Sequence, residues 1–403
     1  MNETRLRKSS AGKSGEGIRS DCFVVIEAAA RGGIRLQLQS KVKSMYGASI
    51  EKLVRDMCAF FDLRHARIGI DDNGALPYVI AARVEAAVNR LLRGTEREYL
   101  LPMHENNRDR TKRDRWRRSR LYLPGNEPKF FINAGLHLPD AVIIDLEDSV
   151  PPAEKDGARF LARNTLRVVD FYGAERMVRI NQGQRGLDDL RFIVPHNPHA
   201  LLIPKAESPR QIVEVEKEVA RLAKAHGVAP EILFIPIVES ALGVMNAYAI
   251  ATASSHNVAL AIGLEDYTAD LGVQRTKEGT ESFFARSMVV NAARAAGLQA
   301  LDTVFSDVND MDGLRQSALE ARALGFEGKG CIHPRQIDIV HQAFAPSPEE
   351  IAKAVGIVRA FEEAERRGSG VVALDGKMID APVVKRAQKI VDLALLTNRL
   401  SRS

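Results

Sequence analysis

The sequence predicts an α/β protein: a (β/α)8, TIM-type barrel with a C-terminal extension, preceded by a small α+β domain. Three observations lead there. Between residues 119 and 345, short apolar strands alternate with amphipathic helices. Eight strand–helix units fit into roughly 220 residues, the length such a barrel needs. Polar and charged residues recur at the C-terminal ends of the strands, the face on which barrel enzymes carry their chemistry. A doubly wound open sheet is the competing architecture.

In chain order, residues 1–19 are polar and read as a disordered tail. Residues 20–92 read as the small α+β unit. C-F-V-V-I-E and I-R-L-Q-L-Q are strands, the second with period-two alternation. I-E-K-L-V-R-D-M-C-A-F-F places apolar residues at helical spacing. A-R-I-G-I-D-D-N-G-A-L gives a strand and an Asn-Gly turn, and A-A-R-V-E-A-A-V-N-R-L-L a second helix. Residues 93–118 read as a basic, solvated linker.

The barrel, residues 119–345, starts with strands at Leu121–Pro124, Ala141–Asp148, Met177–Asn181 and Ala200–Lys205. Leu233–Ser240, Ala259–Asp266, Ala300–Phe305 and Gly330–Pro334 supply the other four. Helices such as Ile212–His226 and Ser282–Ala296 fall between them. Residues 346–403 form the extension, with a helix at Pro348–Arg367 and a distinctive G-K-M-I-D-A-P.

Composition limits the function classes. The chain has 403 residues, 45% hydrophobic and 27% charged, as expected of a soluble globular protein. It has no apolar run of spanning length, and its start lacks the apolar core of a secretory signal. Cys22, Cys58 and Cys331 form no C-x-x-C pair, which excludes a disulfide framework and a thiolate zinc site. A cytoplasmic protein with reduced thiols is expected, with no membrane partner. The net charge of +5 is local. Residues 108–120 hold eight basic and two acidic residues, a local +6, so the rest of the chain carries −1. A charge run with the single aromatic Trp116 is a thin platform for nucleic acid, and none is expected as a partner.

The strand ends carry the functional signal. The second ends in Glu147 and Asp148, the third in Arg179 and Asn181, the fourth in Lys205 and Glu207. The fifth ends in Glu239, the sixth in Glu265 and Asp266, the eighth in His333. Acids at such positions also cap the following helices, and Asp145 suits structural hydrogen bonds. Several carboxylates around one mouth, however, repel one another unless a cation joins them. Oxygen donors without His or Cys clusters suit Mg2+, with Mn2+ as the alternative. An arginine facing such a site suits an anionic, oxygen-rich substrate.

The run R-L-Y-L-P-G-N, D-L-E-D-S-V, V-R-I-N, L-L-I-P-K-A-E-S, I-V-E-S-A-L-G, A-I-G-L-E-D-Y-T-A-D-L, I-H-P-R-Q-I and G-K-M-I-D-A-P resembles the β subunit of citrate lyase. That subunit belongs to the HpcH/HpaI aldolase and CoA-ester lyase family. The likeness spans about residues 119–395. Residues 20–92, through I-D-D-N-G-A-L and A-R-V-E-A, resemble the acyl carrier (γ) subunit of the same enzyme.

The resemblance implies a magnesium-dependent lyase that cleaves a 3-hydroxyacyl thioester. It places the metal on Glu239 and Asp266, the substrate-gripping arginine at Arg179 and a metal-organising carboxylate at Asp148. The motif aspartate that acts on a neighbouring subunit's site falls at Asp380. The expected carrier is CoA or a phosphoribosyl-dephospho-CoA arm. The carrier family attaches that arm to a serine in S-x-D. Here Arg19 holds the aligned place and Ser20 stands beside Asp21, so either Ser20 is used or the arm is lost.

A second departure is Glu127, after P-G-N, where CoA-using members carry an arginine; Lys129 is nearby. The expected assembly is a trimer or hexamer, with an α-like subunit as a further partner. Two functional alternatives stay open at this point. One is a lyase or thioesterase for malyl-, citramalyl- or methylmalyl-CoA. The other is a carrier or regulatory protein.

Overall fold

The computed structural model describes residues 7–228, 231–366, 372–374 and 377–396. The N-terminal domain is a four-stranded sheet with two helices on it. β1 (Lys8–Gly12), β2 (Cys22–Ala28), β3 (Ile34–Ser40), α1 (Lys43–Phe60), β4 (Ala66–Asp72) and α2 (Pro77–Leu92) follow in order. The sheet order is β1-β2-β4-β3, with β3 and β4 parallel and the other pairs antiparallel. Val24, Ile26, Ile68 and Ile70 alternate inward and bury against the helices, as period-two patterning requires.

Residues 8–12 differ from the expected tail. They form an edge strand that pairs with Phe23–Glu27. The sequence K-S-S-A-G has no apolar pattern, so β2 supplies what orders it: a row of open backbone donors and acceptors. Residues 1–6 lie outside the described residues.

β5 (Ser119–Pro124), β6 (Ala141–Asp145), α3 (Lys155–Val168), β7 (Glu175–Arg179), α4 (Gly183–Ile193), β8 (Ala200–Ile203), α5 (Pro209–Ala225) and β9 (Leu233–Val238) build the first half of the barrel. α6 (Ala241–Met245), α7 (Ala247–Ala251), β10 (Ala259–Ile262), α8 (Leu264–Leu271), α9 (Phe283–Ala295), β11 (Gln299–Val304), α10 (Met311–Leu324), β12 (Gly328–Cys331) and α11 (Gln336–Phe344) complete it. Among the described residues, β5 to β12 close into an eight-stranded parallel barrel, which removes the open-sheet alternative. Alternation divides each strand. Ile143, Met177, Leu202 and Ile235 fill the interior, while Val142, Ile144, Val178 and Leu201 pack under the helices. Local chemistry sets the helix starts. Ser208 and Gln211 form a capping box ahead of α5, with Pro209 in its first turn.

Residues 93–118 are mostly exposed, as a linker is, but they run along the N-terminal end of the barrel and several of their charges are tied to it. Arg117 is fully buried and paired with the equally buried Glu175 at 2.7 Å. Arg118 pairs with Asp140 at 2.8 Å. Arg113 donates to the carbonyls of Ser255 and Asn257, each at 2.8 Å. A local charge count cannot reveal carboxylates that lie tens of residues away in sequence.

The N-terminal domain is packed onto the barrel. α2 is buried on nearly every side, between its own sheet and α3. Arg163 of α3 holds Glu85 of α2 with two hydrogen bonds, 2.8 and 2.5 Å, both side chains almost fully excluded from solvent. Asn164 Nδ2 donates to the Tyr78 carbonyl at 2.9 Å. Arg83 clamps Asp21 at 2.9 and 2.8 Å and reaches the Asn126 carbonyl of the barrel at 3.0 Å.

After the barrel come α12 (Pro348–Arg366), β13 (Val372–Leu374), β14 (Lys377–Ile379) and α13 (Ala381–Leu396). α12 and α13 pack through Ala354, Ile357 and Ala387, with Ile379 of β14 in the same cluster. Part of the G-K-M-I-D-A-P stretch, Gly376, lies outside the described residues.

Candidate active site

β6 stops earlier than its apolar run suggests. The Asp145 carboxylate accepts from the backbone N–H of Glu147 (3.0 Å) and of Ser149 (3.2 Å), which turns the chain. That turn, not a continued strand, lifts Glu147 and Asp148 to the barrel mouth. From the end of β7, Arg179 donates to both Asp145 oxygens, at 2.7 and 2.8 Å. Its remaining edge, Nη1, lies 3.0 Å from Glu147 and 3.2 Å from Asp148. The guanidinium carbon sits 5.4 Å from the Tyr122 ring centre, a cation–π contact from inside the barrel.

Glu239 follows β9 and is only 5% exposed. Its Oε1 accepts the Lys205 backbone N–H at 2.7 Å. Its Oε2 lies against Gly263, where a Cβ would come within 2.4 Å, so only glycine lets the next strand end approach. Asp266 stands in the first turn of α8, three residues beyond that glycine, and not on a strand as the apolar pattern predicts. Lys205 has φ +48°, a left-handed conformation unfavourable for a lysine. Its ammonium lies 3.5 Å from Glu147, 3.7 Å from Asp148 and 3.4 Å from Asp266.

The electrostatics follow from this arrangement. Burial alone would raise Asp145, but the hydrogen bonds and charge of Arg179 hold it below the usual carboxylate range. Burial raises Glu147, against the opposing charge of Arg179. Glu239 is pushed up to about 8, chiefly by burial and further by the charges of Glu147 and Asp266. Burial opposes the charge on Lys205, but Glu147, Asp148 and Asp266 outweigh it and raise its pKa.

Arg179, Asp148, Glu239 and Asp266 line one cavity of about 400 Å³ at the strand ends, with Tyr122 and Asp302 on its floor. The structure thus brings these four sequence-predicted residues to one place. Among the described residues, no group of three or more His, Cys, Asp or Glu is disposed around a common metal position.

Two predicted residues lie elsewhere. Asp380 is exposed, and its carboxylate accepts from the Val383 N–H at the start of α13 (3.2 Å). α13 turns Lys385, Lys389 and Asp392 toward a second cavity, of about 640 Å³, shared with Arg113 and Trp116 at the opposite end of the barrel. That cavity is the larger, but it holds no comparable set of converging acids. Ser20 lies in the N-terminal domain with φ +59° and donates its N–H to the Asn73 carbonyl (3.0 Å). Its neighbour Asp21 is tied through Arg83 to Asn126, two residues beyond the cavity-lining Pro124. Glu127 pairs with Lys13 and, at 3.2 Å, with Lys129.

Of the other strand-end residues, Glu265 also lines the cavity but is paired with Arg275, while Glu207 accepts from Ser240 Oγ (2.7 Å) and His333 Nδ1 accepts from the Arg335 N–H (3.2 Å). Sequence reasoning missed Tyr122, Lys155 and Gln182. Tyr122 was detectable as an inward position of β5. Lys155, which donates to the Glu147 carbonyl (2.7 Å), and Gln182, which donates to Glu147 Oε1 (2.7 Å), gave no signal.

Residues 118–334 match the family described as HpcH/HpaI aldolase/citrate lyase. Residues 11–91 match an acyl-carrier family described as malonate decarboxylase delta subunit (MdcD). Over 288 residues the chain is 40% identical to the citrate lyase subunit beta of Leuconostoc mesenteroides subsp. cremoris, covering 70% of this chain and 94% of that one. It is 36% identical to the mitochondrial citramalyl-CoA lyase of Mus musculus, over 69% of this chain and 86% of that one. Among solved structures it is similar to CitE of Mycobacterium tuberculosis in complex with magnesium, acetoacetate and coenzyme A. The TM-score there is 0.58 at 34% identity, covering 70% of this chain and 99% of that one. Among the described residues, no helix is long and apolar enough to cross a membrane.

Proposed function

The chain belongs to the HpcH/HpaI aldolase/citrate lyase family and is a citrate lyase β-like CoA-ester lyase, and from that premise we propose that it cleaves a citryl thioester to oxaloacetate and an acetyl thioester, with a magnesium ion on Glu239 and Asp266. The observation that supports this most is the convergence of Arg179, Asp148, Glu239 and Asp266 on one cavity at the strand ends. The donor set suits the ion. Glu239 Oε2 and the Asp266 carboxylate are hard oxygens, and a cationic group, the Lys205 ammonium, already lies 3.4 Å from Asp266. Two carboxylates, with waters and substrate oxygens completing the shell, are a usual protein share for Mg2+, and Mn2+ suits the same donors.

The bond that breaks joins the carbinol carbon to the carbon α to the thioester. The hydroxyl proton passes to solvent at the open mouth, the carbinol becomes the carbonyl of the 2-oxo acid, and the electron pair of the broken bond passes to the α-carbon as a thioester enolate. When bound, the ion would supply Lewis acidity that favours the alkoxide. Arg179, fixed from behind by Asp145, offers its Nη1 edge to a substrate carboxylate. Asp148 faces the same edge and orients water at the mouth. The enolate carbon then takes a proton, and we assign its delivery to Asp380 of a second copy, because the chain's own Asp380 caps a helix away from the cavity. This requires a homo-oligomer, a trimer or hexamer. Complete citrate cleavage would also require an α-like partner subunit.

The thioester carrier is CoA or an arm on Ser20. Ser20 sits beside the Asp21–Arg83–Asn126 link, on the part of the N-terminal domain tied to the barrel's first loop. At Glu127, Lys13 and Lys129 bring cations to the place where the family arginine is missing.

The test offers citryl-, malyl- and citramalyl-CoA to purified protein with Mg2+ and follows the oxo acid and free CoA, with Glu239→Ala as control. Metal-dependent oxaloacetate, lost in the variant, supports the proposal. Pyruvate or glyoxylate would replace citryl by citramalyl or malyl. Free CoA without an acyl-CoA product would make the protein a thioesterase.

A further inference from the structure

The carboxylate ring at the mouth already contains a cation of its own. We propose that the Lys205 ammonium is a built-in counter-ion that neutralises Asp266, Glu147 and Asp148 before a divalent cation loads and must leave Asp266 when it does, so that Lys205 sets the protein's metal affinity. This rests on the metal reading given above and adds a residue to which that reading gives no role.

Three observations support it. The first is position. The ammonium lies 3.4–3.7 Å from Glu147, Asp148 and Asp266, carboxylates contributed by two different strand ends. Those distances are loose for a dedicated lysine–carboxylate hydrogen bond, and the near-equality places the charge among the acids and not on any one. The second is the backbone. Lys205 holds φ +48°, and its N–H is tied to Glu239 Oε1 at 2.7 Å. The strained residue is therefore pinned through its backbone by Glu239, while its side chain reaches across the mouth to three other acids.

The third is mobility of a chemical kind. Arg179 is locked by a fork of two bonds from Asp145. Lys205 is a point charge on a flexible four-carbon stem, about one-third exposed, and can swing out without breaking a bidentate contact. The ring thus has one fixed cation and one exchangeable one.

Removing the exchangeable charge has opposite effects on two quantities. Without a divalent ion, the acids lose a neutralising partner and the fold is weakened. With one, the incoming ion no longer has to expel a competitor, and binding tightens. At these separations, displacement of one unit charge should change affinity by about tenfold or more.

The experiment uses Lys205→Met and the charge-keeping Lys205→Arg in the full chain. It measures Mn2+ binding by electron paramagnetic resonance and calorimetry, and thermal midpoints with and without Mn2+; circular dichroism checks the fold. The expected result is Mn2+ binding about tenfold tighter in Lys205→Met, a lower midpoint without metal and a larger rise on adding it. Lys205→Arg should stay close to wild type. Wild type that binds one Mn2+ while Lys205→Met binds equally or more weakly would overturn the role of Lys205 and leave the metal reading intact. Failure of every form to bind Mn2+ would overturn both. If Lys205→Met misfolds, equal affinity of Lys205→Gln and wild type would overturn the proposal in the same way.

Discussion

Asp145 grips Arg179 at two points, 2.7 and 2.8 Å apart donor to acceptor, and leaves one guanidinium edge turned to the mouth. The aspartate is buried, and the bond fixes the arginine's orientation as well as its charge. Asp145→Asn keeps the shape but removes the fork and leaves a largely buried guanidinium short of its counter-ion. The expected outcome is a loss of about 3–5 kcal/mol of stability in denaturant melts, since breaking one side of a buried pair strands the other. Thioester turnover should fall by about 10²-fold through misplacement of Arg179. Wild-type KM and kcat in Asp145→Asn would show that Arg179 needs no such support.

Glu239 shows the opposite balance. Its carboxylate is buried among like charges, so without a divalent ion its ionised form opposes folding. Glu239→Gln keeps an oxygen to accept the Lys205 N–H and removes the charge. The metal-free variant should melt higher than wild type by a few degrees, about 1 kcal/mol or more, while Mn2+ binding and lyase turnover collapse. A lower melting point with turnover retained would remove Glu239 from the site.

Chelation provides a separate check on the same chemistry. EDTA-treated protein should lose thioester cleavage, and Mg2+ should restore it, with Mn2+ also effective. Asp266→Asn should shift the Mg2+ concentration needed for half-restoration upward by about tenfold or more. An Asp266→Asn protein with unchanged Mg2+ demand would show that Asp266 is not a ligand.

The sequence made much of this site legible because barrel geometry converts strand ends into neighbours. Glu239 and Asp266 are 27 positions apart, yet parallel register brings their strand ends side by side, and Gly263 removes the last obstacle. The turn after Asp145 and the helical start at Leu264 were hidden, since D-L-E-D and G-L-E-D continue apolar runs without a break. Lys205 illustrates a different limit. A lysine beside Glu207 reads as a local ion pair, whereas its positive φ sends it to acids on other strands. The basic stretch at 108–120 and the strand at 8–12 were missed for one reason: their partners, Glu175 and β2, are set by tertiary structure.

Glu85 and Arg163 test whether the N-terminal domain is a separate, movable unit. Both side chains are withdrawn from solvent, and the pair lies at the seam between α2 and α3. Two such domains joined by a wet linker would melt in two steps. Here scanning calorimetry should show one transition, and Glu85→Ala should lower it as a whole, by about 3–5 kcal/mol of stability. A variant in which one of two resolved transitions moves would mean that the domains fold independently and the seam opens readily.

Acid should weaken the same seam and the barrel floor through two histidines. His196 is buried beside Arg163 and Arg167, and burial first, then those cations, push its pKa down to about 2. His199 is pushed down to about 4, by burial and then by Arg176. An unfolded histidine titrates near 6.5, so below that value the unfolded chain binds protons that the folded chain refuses. The sign follows: the stability these groups contribute is complete above about pH 6.5 and drains away as pH falls. Between about 6.5 and 4 both histidines act, and each costs up to about 1.4 kcal/mol per pH unit. Below about 4 only His196 continues, joined by Asp145 and Asp302, whose carboxyls are held below their ordinary range. Urea melts at half-unit steps from pH 8 to 4, made in the Glu239→Gln background because the raised Glu239 carboxyl gains stability over the same range, should therefore show a fall that begins near 6.5. His199→Asn should make that fall shallower, and a variant with an unchanged slope would assign the acid lability to other groups.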